Sequence, residues 1–145
     1  MRDLATFLLD AANSGVYAAP AAVTALRKRA DACGLAWMEL DLAGVADKGT
    51  FLARCQAAFN LPASFGHNWD ALADCFEDLS WQPARGYVVL CRDGAEFARR
   101  APQDHALGLE ILAAAATYWV ASEKPFFVLL DAQTRAKRRL KSLPE

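Results

Sequence analysis

Two short, unbroken apolar runs limit the fold more than any other feature of the chain. They are Gly86-Tyr87-Val88-Val89-Leu90-Cys91 and Phe126-Phe127-Val128-Leu129-Leu130. Neither run alternates, so each is expected to bury both faces, as strands inside a parallel sheet do. Parallel neighbours need a crossover connection, and residues 104–122 read as a helix of suitable length between them. Upstream, residues 35–42 read as another strand, and Asp47 opens a helix that reaches Phe59. Pro62 then breaks the chain before a further helix expected over residues 68–79. The order strand, two helices, strand, helix, strand predicts an α/β domain. Its sheet is expected to be small, mainly three-stranded and parallel, with helices packed around it.

The first 34 residues read as a helix over 3–12, a stop at Asn13-Ser14-Gly15, an extended piece over 16–18, and a helix over 21–32 closed by Gly34. A segment of this length could hardly bury a core of its own. Residues 1–34 are therefore expected to be a helix, edge-strand and helix extension of the domain formed by residues 35–131. Asp3, Asp10 and Asn13 interrupt the apolar residues of the first 22, so this stretch reads as an amphipathic helix rather than an export signal. No apolar run reaches the roughly 18–20 residues that span a bilayer, and no membrane partner is expected.

The four cysteines, Cys33, Cys55, Cys75 and Cys91, lie far apart in apolar surroundings. Disulfide frameworks and zinc sites show tighter spacing. Buried free thiols of a cytoplasmic protein are the expectation, and no cofactor is implied. The net charge of −1 divides unevenly: residues 132–145 carry +4 and the rest −5. The basic run holds Arg135, Lys137, Arg138, Arg139 and Lys141 without interleaved aromatics. A solvated terminus without direct nucleic-acid contact is expected from it. His105, beside Asp104 near the start of the long helix, is expected as a surface or capping neighbour rather than a ligand.

Residues 65–79 are the most informative for function. Gly66 permits a tight turn, and Asn68 is a suitable N-cap for the helix that follows. At about 100° per residue Trp69, Leu72, Cys75, Phe76 and Leu79 share one face, and Asp70, Asp74, Glu77 and Asp78 gather opposite. The pairs Asp70/Asp74 and Asp74/Asp78 repel at i,i+4, each costing a few tenths of a kcal/mol. Asp78 also stands near the negative end of the helix dipole. No Lys or Arg occurs between Arg54 and Arg85 to relieve them. Such a face either meets a basic partner or is merely solvated. His67, Asp70 and Asp74 could also be read as a metal or acid/base set. No third protein ligand is evident and His67 precedes the helix, so an enzyme is not expected; a metal-dependent hydrolase using Asp70 and Asp74 is the remotest reading.

The stretch Leu61-Pro62-Ala63-Ser64-Phe65-Gly66-His67-Asn68-Trp69-Asp70-Ala71-Leu72 resembles the signature of the barstar family, in which Phe/Tyr-Gly-x-Asn-x-Asp-Ala-Leu opens the inhibitory helix. The similarity runs without gaps back through Val45 to Leu42, and more loosely forward through both apolar runs to residue 131. The resemblance implies a ribonuclease inhibitor whose helix enters a nuclease active site as a phosphate mimic. On that basis Asp74 is the principal charge and Asp70 the second, with Asn68 beside them. Ser64, His67, Ala73, Glu77 and Asp78 complete the implied surface. The implied partner is a basic, extracellular-type ribonuclease of the barnase kind or a related nuclease toxin, met by an immunity protein that is a monomer when free. Three positions depart from the family pattern: Ser64 replaces an aromatic, Ala73 a Trp, and Tyr118 a Glu. The alternative is an interaction module of the same fold for another basic protein, with nuclease inhibition lost.

Overall fold

A computed structural model describes residues 3–144; Met1 and Arg2 of the expected extension and Glu145 of the tail lie outside them. The elements in chain order are α1 (Leu4–Leu8), a 3-10 turn (Ala11–Asn13), β1 (Gly15–Ala18), α2 (Val23–Ala32), β2 (Leu35–Asp41), α3 (Lys48–Phe59) and α4 (Trp69–Phe76). There follow β3 (Gly86–Arg92), α5 (Ala95–Arg100), α6 (Pro102–Ala121), β4 (Phe126–Leu130), α7 (Ala132–Arg135) and β5 (Lys141–Ser142). The strands form one parallel sheet in the order β2-β3-β4-β1-β5.

The α/β class and the central β2-β3-β4 ladder match the expectation, but the sheet has five strands rather than three. The expected edge piece, β1, lies inside the sheet, flanked by β4 and β5. Periodicity over four residues is too short to show this; the pairing of Val16 with Val128 and Tyr17 with Leu129 is tertiary.

Burial on both sheet faces explains the unbroken runs. On one face Met38, Leu40, Val89, Cys91, Phe126, Val128 and Leu130 meet the helices α3 to α6. On the other, Leu35, Val88, Leu90, Phe127 and Leu129 are covered by Leu8, Tyr17, Leu26, Ala30 and Cys33. Residues before 35 therefore supply the second layer of the core. Cys33, Cys55 and Cys91 are buried free thiols, as expected, and Cys75 is half-buried. Burial pushes the Cys91 thiol up to about 12, which leaves it unreactive at neutral pH.

Four local expectations are corrected. The helix over 3–12 stops at Leu8, because the Asp10 carboxylate captures the Ala12 N–H and starts a separate 3-10 turn. A short helix, α5, stands between β3 and the long crossover. The basic tail is not simply solvated: Asp131 caps α7 by accepting from the Thr134 N–H at 2.8 Å, Thr134 is fully buried, and Lys141 and Ser142 pair with β1. His105 is buried rather than at the surface; its Nε2–H donates to the Thr134 carbonyl at 2.9 Å and its ring meets Phe97 edge-on.

That burial, with Arg138 nearby and only partly offset by the bond to Thr134, lowers the His105 pKa from its ordinary 6.5. The unfolded chain therefore binds more protons than the fold as pH falls through 6.5, and stability is lost progressively below that value. Above it both states are neutral and the histidine contributes no pH dependence. In urea melts between about pH 7.5 and 5.5, His105→Gln is expected to lose less of its midpoint than the native chain. Parallel losses would mean that the imidazole titrates freely.

Candidate protein-binding site

The acidic helix α4 is fixed at both ends by its own sequence. The Pro62 carbonyl accepts from the Phe65 N–H at 2.9 Å, and Phe65 is buried. His67 takes a left-handed φ of 51° with its ring 4.8 Å from that of Phe65, so the chain reverses just before the cap. Asn68 Oδ1 accepts from the Ala71 N–H at 2.8 Å, and Asn68 Nδ2 donates to the Gly66 carbonyl at 3.3 Å. Asn68 is thus an N-cap, as the sequence predicts, with its amide engaged in shaping the turn.

The inner face carries Leu72 and Phe76, both buried, with Trp69 half-buried against Phe51 at 5.7 Å. Phe76 meets Phe59 edge-on at 4.8 Å. At the C-terminal end Trp119 Nε1–H donates to the Phe76 carbonyl at 2.7 Å. This bond satisfies one of the carbonyls a helix terminus leaves open and joins α4 to α6. The helix ends at Phe76, three residues earlier than expected, with Glu77 as its C-cap and Leu79 at a φ of 51°. Leu79 leaves the helix yet is buried. Its positive φ breaks the periodicity without exposing the side chain.

The expected surface divides accordingly. Asp70 and Asp74 are exposed and one helical turn apart on α4, while Glu77 and Asp78 are exposed just beyond its end. Ser64 and His67 are exposed in the preceding turn, and Ala73 is half-buried. Among the described residues the ion pairs join Arg29 to Asp3, Arg92 to Asp41 and Asp93, and Arg100 to Glu96. None reaches Asp70, Asp74, Glu77 or Asp78. Asp78 accepts from the Ser80 hydroxyl at 3.2 Å.

The arrangement can present two carboxylates on a rigid, short helix to an external cation, and Arg would meet either in bidentate fashion. Among the described residues no three His, Cys, Asp or Glu side chains come together so as to hold a metal ion, and the hydrolase reading gains no support. No helix among them is long and apolar enough to cross a membrane. Tyr118, on α6 next to the Trp119 that anchors α4, is 40% exposed; periodicity alone did not single it out.

Comparison with known proteins is consistent with this geometry. The family model described as Barstar (barnase inhibitor) matches residues 35–131, the span from β2 to the residue after β4. A comparison with curated proteins found no match.

Proposed function

The chain belongs to the barstar family of barnase inhibitors, and on that premise we propose that it inhibits a basic ribonuclease by inserting α4 into the nuclease active site. The observation that carries this reading is the pair Asp70 and Asp74: exposed, one turn apart, and without a cation among the described residues. Two such carboxylates stand in for substrate phosphate among the Arg, Lys and His side chains of a nuclease. Little ordering is needed on this side, because the helix is already capped and anchored, and a rigid element loses less entropy on binding. Asp74 is the principal charge, Asp70 the second. Ser64, His67, Ala73, Glu77 and Asp78 form the surrounding surface, and Asn68 holds the turn. Four free thiols suit a reducing, cytoplasmic setting, where such an inhibitor acts as an immunity protein and is a monomer until it meets its target.

A second reading, a module for a different basic protein, draws on Tyr118. This exposed aromatic on α6, next in sequence to the Trp119 that bonds α4, stands where the family pattern implies Glu, and aromatic anchors favour a partner with an apolar pocket.

The test is calorimetric titration against a basic, guanyl-specific ribonuclease of the barnase type, repeated as salt is raised. The expected result is one-to-one, salt-sensitive binding with loss of nuclease activity. Absence of binding and of inhibition at low salt would favour the second reading.

A further inference from the structure

The folded tail does more than close the sheet: it forms one wall of a basic groove that no residue of α4 lines. The groove has a volume of about 840 Å³ and lies between α5, the first turns of α6, and α7 with the residues after it. Arg99, Arg135, Lys137 and Arg138 line it, with no carboxylate among the lining residues. Alanines and a proline make up most of the remaining wall, so small side chains leave the floor open.

Two features make this groove different from a solvated basic terminus. The first is that two acids of the adjoining segments, Asp131 and Glu96, are already engaged, while Asp104 of α6 does not line the groove. Asp131 accepts from the Thr134 and Asp93 N–H groups, one on each oxygen, and Glu96 pairs with Arg100 at 3.4 Å. Arg99, Lys137 and Arg138 have no ion pair among the described residues. The second is that the basic run is held in a defined turn. The Arg135 carbonyl accepts from the Arg138 N–H at 3.0 Å, and Arg135 Nη1 donates back to the Arg138 carbonyl at 3.1 Å. Ala136 sits at φ 54° and ψ −117°, a region that is nearly glycine's alone and costs on the order of 1–3 kcal/mol. The buried His105–Thr134 bond fixes α7 beneath this turn.

We propose that this groove binds the phosphodiester backbone of single-stranded RNA through Arg99, Arg135, Lys137 and Arg138. Four cations around one groove provide for three or four phosphates of a flexible single strand. Without a Phe, Tyr or Trp among its lining residues, and with the His105 ring buried against Phe97, it would read charge and not sequence. The site shares no residue with the proposed contact through Asp70 and Asp74.

The experiment is fluorescence anisotropy of a labelled ten-nucleotide uridine strand with the whole protein, across a salt series, against inorganic pyrophosphate as competitor. Binding is expected with Kd on the order of 10⁻⁵ M at low salt, and a log–log salt slope of roughly −2 to −3, as three or four phosphate contacts require. The variant Arg99→Ala/Lys137→Ala/Arg138→Ala is expected to bind at least tenfold more weakly with a flatter slope. Its three exposed positions should leave the thermal midpoint unchanged, and the resonances of the His105 ring should shift with RNA only in the native chain. Undiminished binding by this variant, with loss instead in Arg27→Ala/Lys28→Ala on α2, would overturn the proposal. So would a site that takes pyrophosphate but not the strand, or no binding at low salt.

Discussion

Asp74→Ala is expected to weaken association with a basic ribonuclease by roughly 3–5 kcal/mol, most of it from the cation left buried and unpaired on the partner. That is about two to nearly four decades in Kd, read by calorimetry alongside the native chain. The free protein should lose nothing. Asp74 is exposed and has no ion pair among the described residues, and removing it relieves like charge at Asp70, one turn away on α4, by a few tenths of a kcal/mol. The opposed signs of the two effects make the result diagnostic. Glu77→Gln and Asp78→Asn, beyond the end of α4, should each cost less than about 1 kcal/mol of binding, as rim charges do. Equal losses at all four carboxylates would replace a seated phosphate mimic with diffuse attraction. Unfolding of Asp74→Ala would remove the helix from consideration as a binding surface.

Phe76→Ala should produce the largest loss of stability, roughly 3–5 kcal/mol, from transfer and cavity terms together. Phe76 is 1% exposed, its ring meets Phe59 edge-on, and its carbonyl receives the Trp119 indole N–H. A helix of only eight residues has no stability of its own, so the packing of Phe76 helps keep Asp70 and Asp74 in place; the substitution removes that packing and leaves the carbonyl that accepts from Trp119. Urea unfolding gives the stability change. Titration of the fraction that stays folded should show weaker binding although no charge has been altered. A cost below about 1 kcal/mol, within the range of a tolerated core change, would mean that Trp69 and Leu72 hold α4 without it.

What the sequence revealed and what it hid follow from the range of the interactions involved. The runs at 86–91 and 126–130 disclosed the central ladder because burial on two faces leaves a local mark, unbroken apolarity. Asn68 disclosed the start of α4 because capping acts within three residues. The face bearing Asp70 and Asp74 followed from helical period, although its use came from the resemblance at residues 61–72. Strand β1 was underrated because its partners are β4 and β5, remote in sequence. His105 was misplaced for the same reason: its partner is the Thr134 carbonyl, 29 residues on. The early end of α4 depends on a left-handed Leu79, which no propensity for leucine would suggest. The basic run was visible, but only the α7 turn and Arg99 from α5 make it a groove.

The interior position of β1, between β4 and β5, also sets an order of events in time. The Phe126 N–H donates to the Ser14 hydroxyl across 112 residues, and the strand between Gly15 and Ala18 waits for β4 to complete its ladder. During synthesis β1 emerges before its partner β4, so it cannot take its place in the sheet until residues 126–130 follow. Until then the apolar side of β2 and β3 formed by Leu35, Val88 and Leu90 has only part of its cover. Pairings this remote slow folding, and a nascent sheet with an open face is the kind of species that associates wrongly. A chain that folds by closing its first strand into its last is committed late, and everything made before that moment is provisional.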